Sequence, residues 1–166
     1  NKATNQSRQI YAKIPGLNIW ESDGAGIQLG LGGRGLNPSR TSNFNTRQNG
    51  YDISADALGY PESYYTPPSE AIEEIQLIRG AASLQFGPQF GGLVNFKLKE
   101  GHPNKKIEGV IRNTIGSYGL NNIFLSIGGT SKNWSYYGYG NYKFGDDFRA
   151  NSSFDVKSGY INIKNK

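Results

Sequence analysis

The residues with the most suggestive chemistry are glycines. Gly30-Leu31-Gly32-Gly33-Arg34-Gly35 has the G-x-G-x-x-G spacing with which a dinucleotide-binding turn lets backbone amides approach a pyrophosphate. It follows the apolar Ile27-Gln28-Leu29, and Asp52 and Asp56 stand at roughly the distance of a ribose-binding carboxylate. That chemistry also needs a helix directly after the glycines, whose N-terminus holds the phosphate. The segment Leu36-Asn37-Pro38-Ser39-Arg40-Thr41-Ser42-Asn43 has no helical apolar period. A glycine-rich strand and turn, where two backbones pass closely, explains the spacing better.

Catalytic constellations are equally thin. His102 is the single histidine and sits in Gly101-His102-Pro103, between two turn formers. No Ser/His/Asp set can be built around it, and Gly-x-Ser-x-Gly is absent. Glu73 and Glu74 are adjacent, so on a helix they would not face one another. With no cysteine there is no disulfide, thiolate metal site or thiol nucleophile. The sequence therefore predicts no enzyme, no metal site and no resident cofactor.

The 18 Lys and Arg exceed the 13 Asp and Glu, a net charge of +5. These cations are scattered, and the nearest thing to a cluster is Lys97, Lys99, Lys105 and Lys106, so no nucleic-acid partner is expected. Mean hydropathy is −0.60. No apolar run reaches the ~18 residues of a membrane-crossing helix. That leaves transmembrane β-barrels open, because their strands carry a much weaker hydropathy signal. Asn1-Lys2-Ala3-Thr4-Asn5-Gln6 has no apolar signal-peptide core, as expected of a mature or truncated start.

Two textures divide the 166 residues. Up to about residue 100, short apolar runs alternate with Gly and Pro turns, a pattern that predicts a small α+β domain of mixed sheet and short helices. Ile10, Tyr11 and Ile14 have helical spacing, ended by Pro15-Gly16. Leu17-Asn18-Ile19-Trp20 reads as a strand. Ser69 to Ile75, acidic at its start, reads as a short helix capped by Ser69. Ile75 to Ile78 and Leu93 to Leu98 read as strands, and Ala81 to Phe86 as a helical turn.

From about Lys105 the chain becomes a meander of about four long alternating segments. Ile107, Ile111 and Ile115 share a parity opposite to Glu108, Arg112 and Thr114. Ile123, Leu125 and Ile127 oppose Asn122 and Ser126, and Trp134, Tyr136, Tyr142 and Phe144 oppose Ser135, Asn141 and Lys143. The fourth segment starts with Phe154, Val156 and Tyr160 opposing Asp155 and Lys157, then loses its parity at Ile161. Each segment is near the ~9–11 residues of a tilted membrane strand. Alternation alone fits a soluble sheet with one dry face equally well, and the aromatic residues near the strand ends favour a membrane.

Several short motifs, in order along nearly the whole chain, resemble those of TonB-dependent outer-membrane receptors. Ile14-Pro15-Gly16-Leu17 is similar to the turn after the first plug helix, and Arg34-Gly35-Leu36-Asn37-Pro38 to the Arg-Gly step of the next strand, its Leu-Asn-Pro extension being most like ferric-citrate-type receptors. Ala71 to Gly80 resembles the family's Ile-Glu-Val-Leu-Arg-Gly strand, and Phe86 to Phe96 its closing Tyr-Gly, Gly-Gly and Val-Asn-Phe elements. Gly145 to Ser152 resembles the first long barrel hairpin. Gln48-Asn49-Gly50-Tyr51 carries Asn where the family usually has Asp, which keeps the tight turn and removes one charge. The family's energy-coupling box is not visible.

The resemblance implies a plug domain over residues 1–102 and the first strands of a transmembrane barrel over 103–166, 22-stranded when complete. It implies a Gram-negative outer-membrane receptor that imports a ferric siderophore or ferric-citrate-like chelate. Its partners would be membrane lipid, the rest of its own barrel, a TonB-type periplasmic energy-coupling protein and the small-molecule ligand. Any iron would arrive inside the chelate. Two plug loops would reach the outside: Asn37 to Thr46, with Asn37, Ser39 and Arg40, and Ala57 to Pro67, with Tyr60, Glu62, Tyr64 and Tyr65. Arg34 and Arg79, each before a glycine, would lock plug to barrel. The rival readings are a plugged barrel without transport, serving as a structural or signalling subunit, and a glycan or peptide importer of the SusC type.

Overall fold

The structure is a computed structural model, and it describes residues 11, 14–21, 27, 29–33, 35–55, 63–80, 85–86 and 91–165. The chain forms two compact units that divide between Leu98 and Lys99. The boundary expected from the sequence, after His102, lies in the loop that follows.

The first unit holds two sheets. One is the antiparallel pair β1 (Leu17–Glu21) and β2 (Leu29–Gly33). The other has the order β4-β3-β6-β5, from β3 (Phe44–Gln48), β4 (Tyr51–Asp52), β5 (Ile72–Ile78) and β6 (Gly92–Leu98). β3 runs parallel to β6, while β4 and β5 pair antiparallel to their neighbours. The central strands alternate. Val94, Phe96 and Leu98 point to a dry face, where Val94 and Phe96 join Tyr11, Leu31 and Phe44 in a buried cluster. Each such side chain contributes about 1.5–3 kcal/mol of burial. Asn45, Arg47, Asn95, Gln76 and Glu74 take the other parity and hydrogen-bond to one another and to Asp52.

Asn49 and Gly50 make the β3–β4 turn at φ 50° and 85°, the left-handed pair that Asn-Gly adopts readily. The turn is fastened to β6 from both sides. Leu98 N donates to Asn49 Oδ1, and Gly50 N donates to Asn95 Oδ1, each at 2.9 Å. The carboxamide oxygen used here is one that Asp would also supply, so the departure from the family's usual residue leaves the turn intact.

Two expectations are corrected. Ser69 does not cap a helix: Ser69–Ala71 is a single 3₁₀ turn that follows Pro68 and has no side-chain cap. β5 then runs from Ile72. Pairing of this segment with β6 overrides the helical signal of its acidic start, and a bulge at Glu73 absorbs the residue that breaks the register. The loop expected from Asn37 to Thr46 ends earlier, because Phe44, Asn45 and Thr46 belong to β3 and are buried. The expected helix ending at Ile14 and the turn from Ala81 lie mostly outside the described residues, which include Tyr11 in a helical turn and Gln85-Phe86 in a 3₁₀ turn.

The second unit is one antiparallel meander, β7 (Glu108–Ile115), β8 (Asn121–Ser131), β9 (Trp134–Gly145) and β10 (Phe154–Asn165). Register fixes the faces, since directly opposed residues lie on one side. Ile111 opposes Leu125, Ile123 opposes Tyr142, and Ser131 opposes Trp134, so these residues share a face. Tyr136 opposes Ile163 and Gly138 opposes Ile161, which adds both isoleucines to it. Asn122 opposes Lys143 and Phe124 opposes Arg112 on the other side. The isoleucine face is bare: Ile111 and Ile161 are each 79% exposed and Leu125 52%. On the opposite face Phe124, Tyr139 and Asn122 are buried.

The change of parity at Ile161 has its explanation here. Phe154, Val156 and Tyr160 lie on the same face as Asn122, where Tyr139 stacks between Phe124 and Tyr160 at centroid distances of 5.6 and 5.9 Å. Beyond Tyr160 the apolar residues pass to the isoleucine face. No helix among the described residues is long and apolar enough to cross a membrane, which says nothing of strands.

Candidate functional site: the loop anchored on β2

The glycine motif builds a loop platform. A Cβ on Gly30 would stand 2.6 Å from the carbonyl oxygen of Pro38, and one on Gly32 2.6 Å from that of Leu36. Bare glycines therefore let residues 36–38 lie directly on β2. Between them, Leu31 N donates to Thr41 Oγ1 at 3.1 Å, and Thr41 is buried. Asn37 Oδ1 accepts from Ser39 N at 2.9 Å, an Asx turn, and the Asn37 carbonyl accepts from Asn43 Nδ2 at 3.0 Å.

Anchoring at both ends forces the tip. Arg40 and Thr41 take φ 49° and 58°, left-handed values uncommon for residues with a Cβ. Backbone strain of this kind concentrates at ligand-contacting loops. The Arg40 carbonyl accepts from Ser63 N at 2.8 Å, so the second loop is tied to the first through the backbone. The exposed Arg40 guanidinium lies 5.8 Å from the Tyr64 ring centroid, and its Nη1 is 3.4 Å from the phenol oxygen. Tyr65 turns the other way and donates its hydroxyl to Gln48 Oε1 at 3.2 Å.

Of the residues chosen from sequence, the structure brings Arg40 and Tyr64 together. Asn37 spends its side-chain oxygen on shaping the loop, and Ser39 supplies the amide that this oxygen accepts. Tyr65 braces β3. Tyr60, Glu62 and Arg34 lie outside the described residues. Thr41, which ties the first loop to β2, and Ser63, whose amide ties the second loop to the first, lie outside that choice. A lone Thr and a lone Ser in polar loops carry no pattern, and their importance comes from contacts 10 and 23 positions away along the chain.

Arg79 follows β5 and lies over the turn before β1. Its Nη2 donates to the Pro15 carbonyl at 3.1 Å, and a Cβ on Gly16 would sit 3.1 Å from Nη1. Its Nε is buried and has no partner among the described residues. Arg47 is the opposite case. It gives Nε to Asn45 Oδ1, Nη1 to the Gly50 carbonyl and Nη2 to the Phe86 carbonyl, with its guanidinium 4.9 Å from the Phe86 ring centroid. Among the described residues no group of His, Cys, Asp and Glu could hold a metal ion.

Residues 1–93 match the family model described as the TonB-dependent receptor plug domain, and the chain belongs to that family. No curated protein matches it. Among solved structures it is similar to the ferric citrate transporter FecA in its unliganded form, with 25% identity, a TM-score of 0.79 and 98% of this chain covered. The pyoverdine outer membrane receptor FpvA of Pseudomonas aeruginosa gives 17%, 0.73 and 97%, and the FrpB iron transporter of Neisseria meningitidis 14%, 0.72 and 99%. At those lower identities the likeness is one of fold. The chain covers 26%, 23% and 28% of these three chains, so it spans about a quarter of the receptors it resembles.

Proposed function

We propose that this chain is the plug and the first barrel strands of an outer-membrane active-transport receptor for a ferric siderophore or ferric-citrate-like chelate. In this reading the receptor sits in a Gram-negative outer membrane, and TonB-coupled energy drives import. The observation that carries it is the succession of a plug-family unit and a meander with one bare apolar face. Its strands β8 to β10 have 11 or 12 residues, long enough to cross a bilayer when tilted. Among the described residues β7 and β10 are the outer strands of this sheet, each paired on one side. An edge cannot face lipid unpaired, so further strands are needed to close the barrel, 22 by likeness to large outer-membrane transporters.

The Arg40–Tyr64 pair is the ligand contact of the plug. A guanidinium offers a planar fork of donors to the carboxylates or hydroxamates around ferric iron, and a phenol ring offers a flat apolar wall. No resident cofactor is needed, because the iron is cargo. Arg34 and Arg79 hold the plug to carboxylates on the barrel wall, for which Arg is suited by its fork and permanent charge. Uptake of radioactive iron tests the reading. Cells carrying the complete receptor should take up ferric citrate or a siderophore complex only when the TonB system is intact. Uptake of no iron chelate in such cells overturns the substrate class, and uptake independent of TonB overturns the energy coupling.

A further inference from the structure

Arg79 does something inside the plug that a link to the barrel does not require. It stands at the end of β5, yet its side chain reaches across to the turn that leads into β1. The Nη2 atom holds the Pro15 carbonyl, and the guanidinium lies against Gly16, whose φ of 75° and missing Cβ make room for it. Pro15 and Gly16 directly precede β1, and β1 is held to the plug along its length by pairing with β2. β1 and β2 form their own two-stranded sheet, separate from the four-stranded sheet that contains β5. The Arg79–Pro15 bond is therefore a polar tie between the two sheets, placed where the chain enters the first strand.

We propose that Arg79 is a polar pin that, beside the core contacts of Leu17, Ile19 and Leu31, fastens the β1–β2 pair to the central sheet, and that its release from Pro15 loosens this pair while the central sheet stays intact. Three features suit it to that role. The tie is one charge-assisted hydrogen bond, so it breaks without unzipping a ladder. The guanidinium rests on a glycine and can slide off without rearranging a packed core. Its buried Nε has no partner among the described residues, so an acceptor that takes Nε and Nη2 together competes directly with the Pro15 carbonyl. A carboxylate on the barrel wall is such an acceptor. Arg79 then couples the barrel contact to the state of β1: one fork, two alternative holders. This last point rests on the transport reading given above; the tie to Pro15 does not.

The test uses the complete receptor. Hydrogen exchange should show the amides of β1 and β2 losing about tenfold protection in Arg79→Gln, the loss that follows from one hydrogen bond to a charged group, while β3 and β6 keep theirs. Arg79→Lys should recover only part of it, since an ammonium can reach the carbonyl but cannot lie flat on Gly16. Arg47→Gln is the control. It should loosen the β3–β4 turn and leave β1 protected, because Arg47 binds Gly50 and Phe86. Unchanged protection of β1 and β2 in Arg79→Gln, or equal loss over all plug strands, overturns the inference. Passive leak of a large antibiotic separates the two roles. Leak without loosening of β1 leaves only the link to the barrel and overturns the pin. Loosening of β1 without leak leaves the pin and removes the link.

Discussion

Arg40 and Tyr64 lie 24 positions apart, yet one guanidinium nitrogen stands 3.4 Å from the phenol oxygen and the cation 5.8 Å from the ring centroid. Neither residue is in a strand. Arg40 is carried by a tip whose two ends are fixed, on β2 through Thr41 and on the Asn37 turn, and Tyr64 follows Ser63, whose amide binds the Arg40 carbonyl. The pair is thus positioned by backbone anchors and is exposed.

That geometry separates binding from stability at Arg40. Arg40→Gly removes the left-handed strain, worth roughly 1–2 kcal/mol, and loses an exposed cation–π contact worth about 0.5–1 kcal/mol. The variant should fold as stably as the parent or slightly better. Its affinity for ferric citrate or the cognate siderophore should fall about tenfold or more, as for loss of a charged hydrogen bond. Titration calorimetry on the complete receptor measures both variants of the pair. Unchanged affinity in Arg40→Gly and in Tyr64→Leu removes the pair from the ligand site.

The bare face of the meander is expected to face lipid. Leu125→Arg should cost about 2–4 kcal/mol near the bilayer midplane, whereas another polar residue in place of Arg112, exposed on the opposite face, should be tolerated. Spin labels at Ile123 and Asn122, adjacent in β8 and on opposite faces, should differ in collision rate with a lipid-soluble quencher, Ile123 being the more accessible. Equal rates, or the reverse order, defeat the assignment.

Glycines in the two units should respond differently to a methyl group. Gly32→Ala places a Cβ 2.6 Å from the Leu36 carbonyl and 3.0 Å from the Pro38 ring. Backbone must move, so a loss of about 1–3 kcal/mol is expected, together with weaker ligand binding as the Arg40 tip shifts. Nothing lies within 4 Å of a Cβ on Gly140. Gly140→Ala should be neutral or stabilising by a few tenths of a kcal/mol. Urea midpoints of the two variants give the comparison, and similar losses in both would show that close approach is not what selects glycine at position 32.

Two plug residues set opposite pH limits. Burial pushes the Tyr11 phenol above its ordinary value near 10. The folded form therefore binds the proton more tightly, and its contribution is complete below pH 10 and falls as the pH rises past it. Asp52 is pushed up by partial burial. Donors from Ser54 and Asn45 and the charge of Arg47 outweigh this and bring it below its ordinary value. Its contribution is complete above about pH 4 and falls as the pH drops through the lowered value. A fluorophore at the exposed position Tyr51 reports plug unfolding. Tyr11→Phe should flatten the decline of the urea midpoint above pH 10, and Asp52→Asn the decline below pH 4. Parallel profiles for parent and variant refute either assignment.

Much of this architecture was legible in the sequence, because side-chain period and local turn chemistry act over a few residues. The alternation around Ile123 and Leu125 fixed the two faces of β8, and Asn49-Gly50 fixed a tight turn. The lack of a helical period after Gly35 ruled out a nucleotide fold and left close backbone approach as the role of Gly30 and Gly32. Ser69 shows where local signals end. Its acidic successor favours a helix start, but the ladder with β6 supplies backbone hydrogen bonds that a short helix could not match, and a strand begins at Ile72. The same holds for the face of Phe154, Val156 and Tyr160, whose parity was readable but whose side was set by the register with β9. Tertiary structure alone decided that Arg79 reaches Pro15 and that Thr41 anchors the tip bearing Arg40. These contacts join residues distant in the chain through single polar atoms, and a single polar atom has no period by which a sequence could announce it.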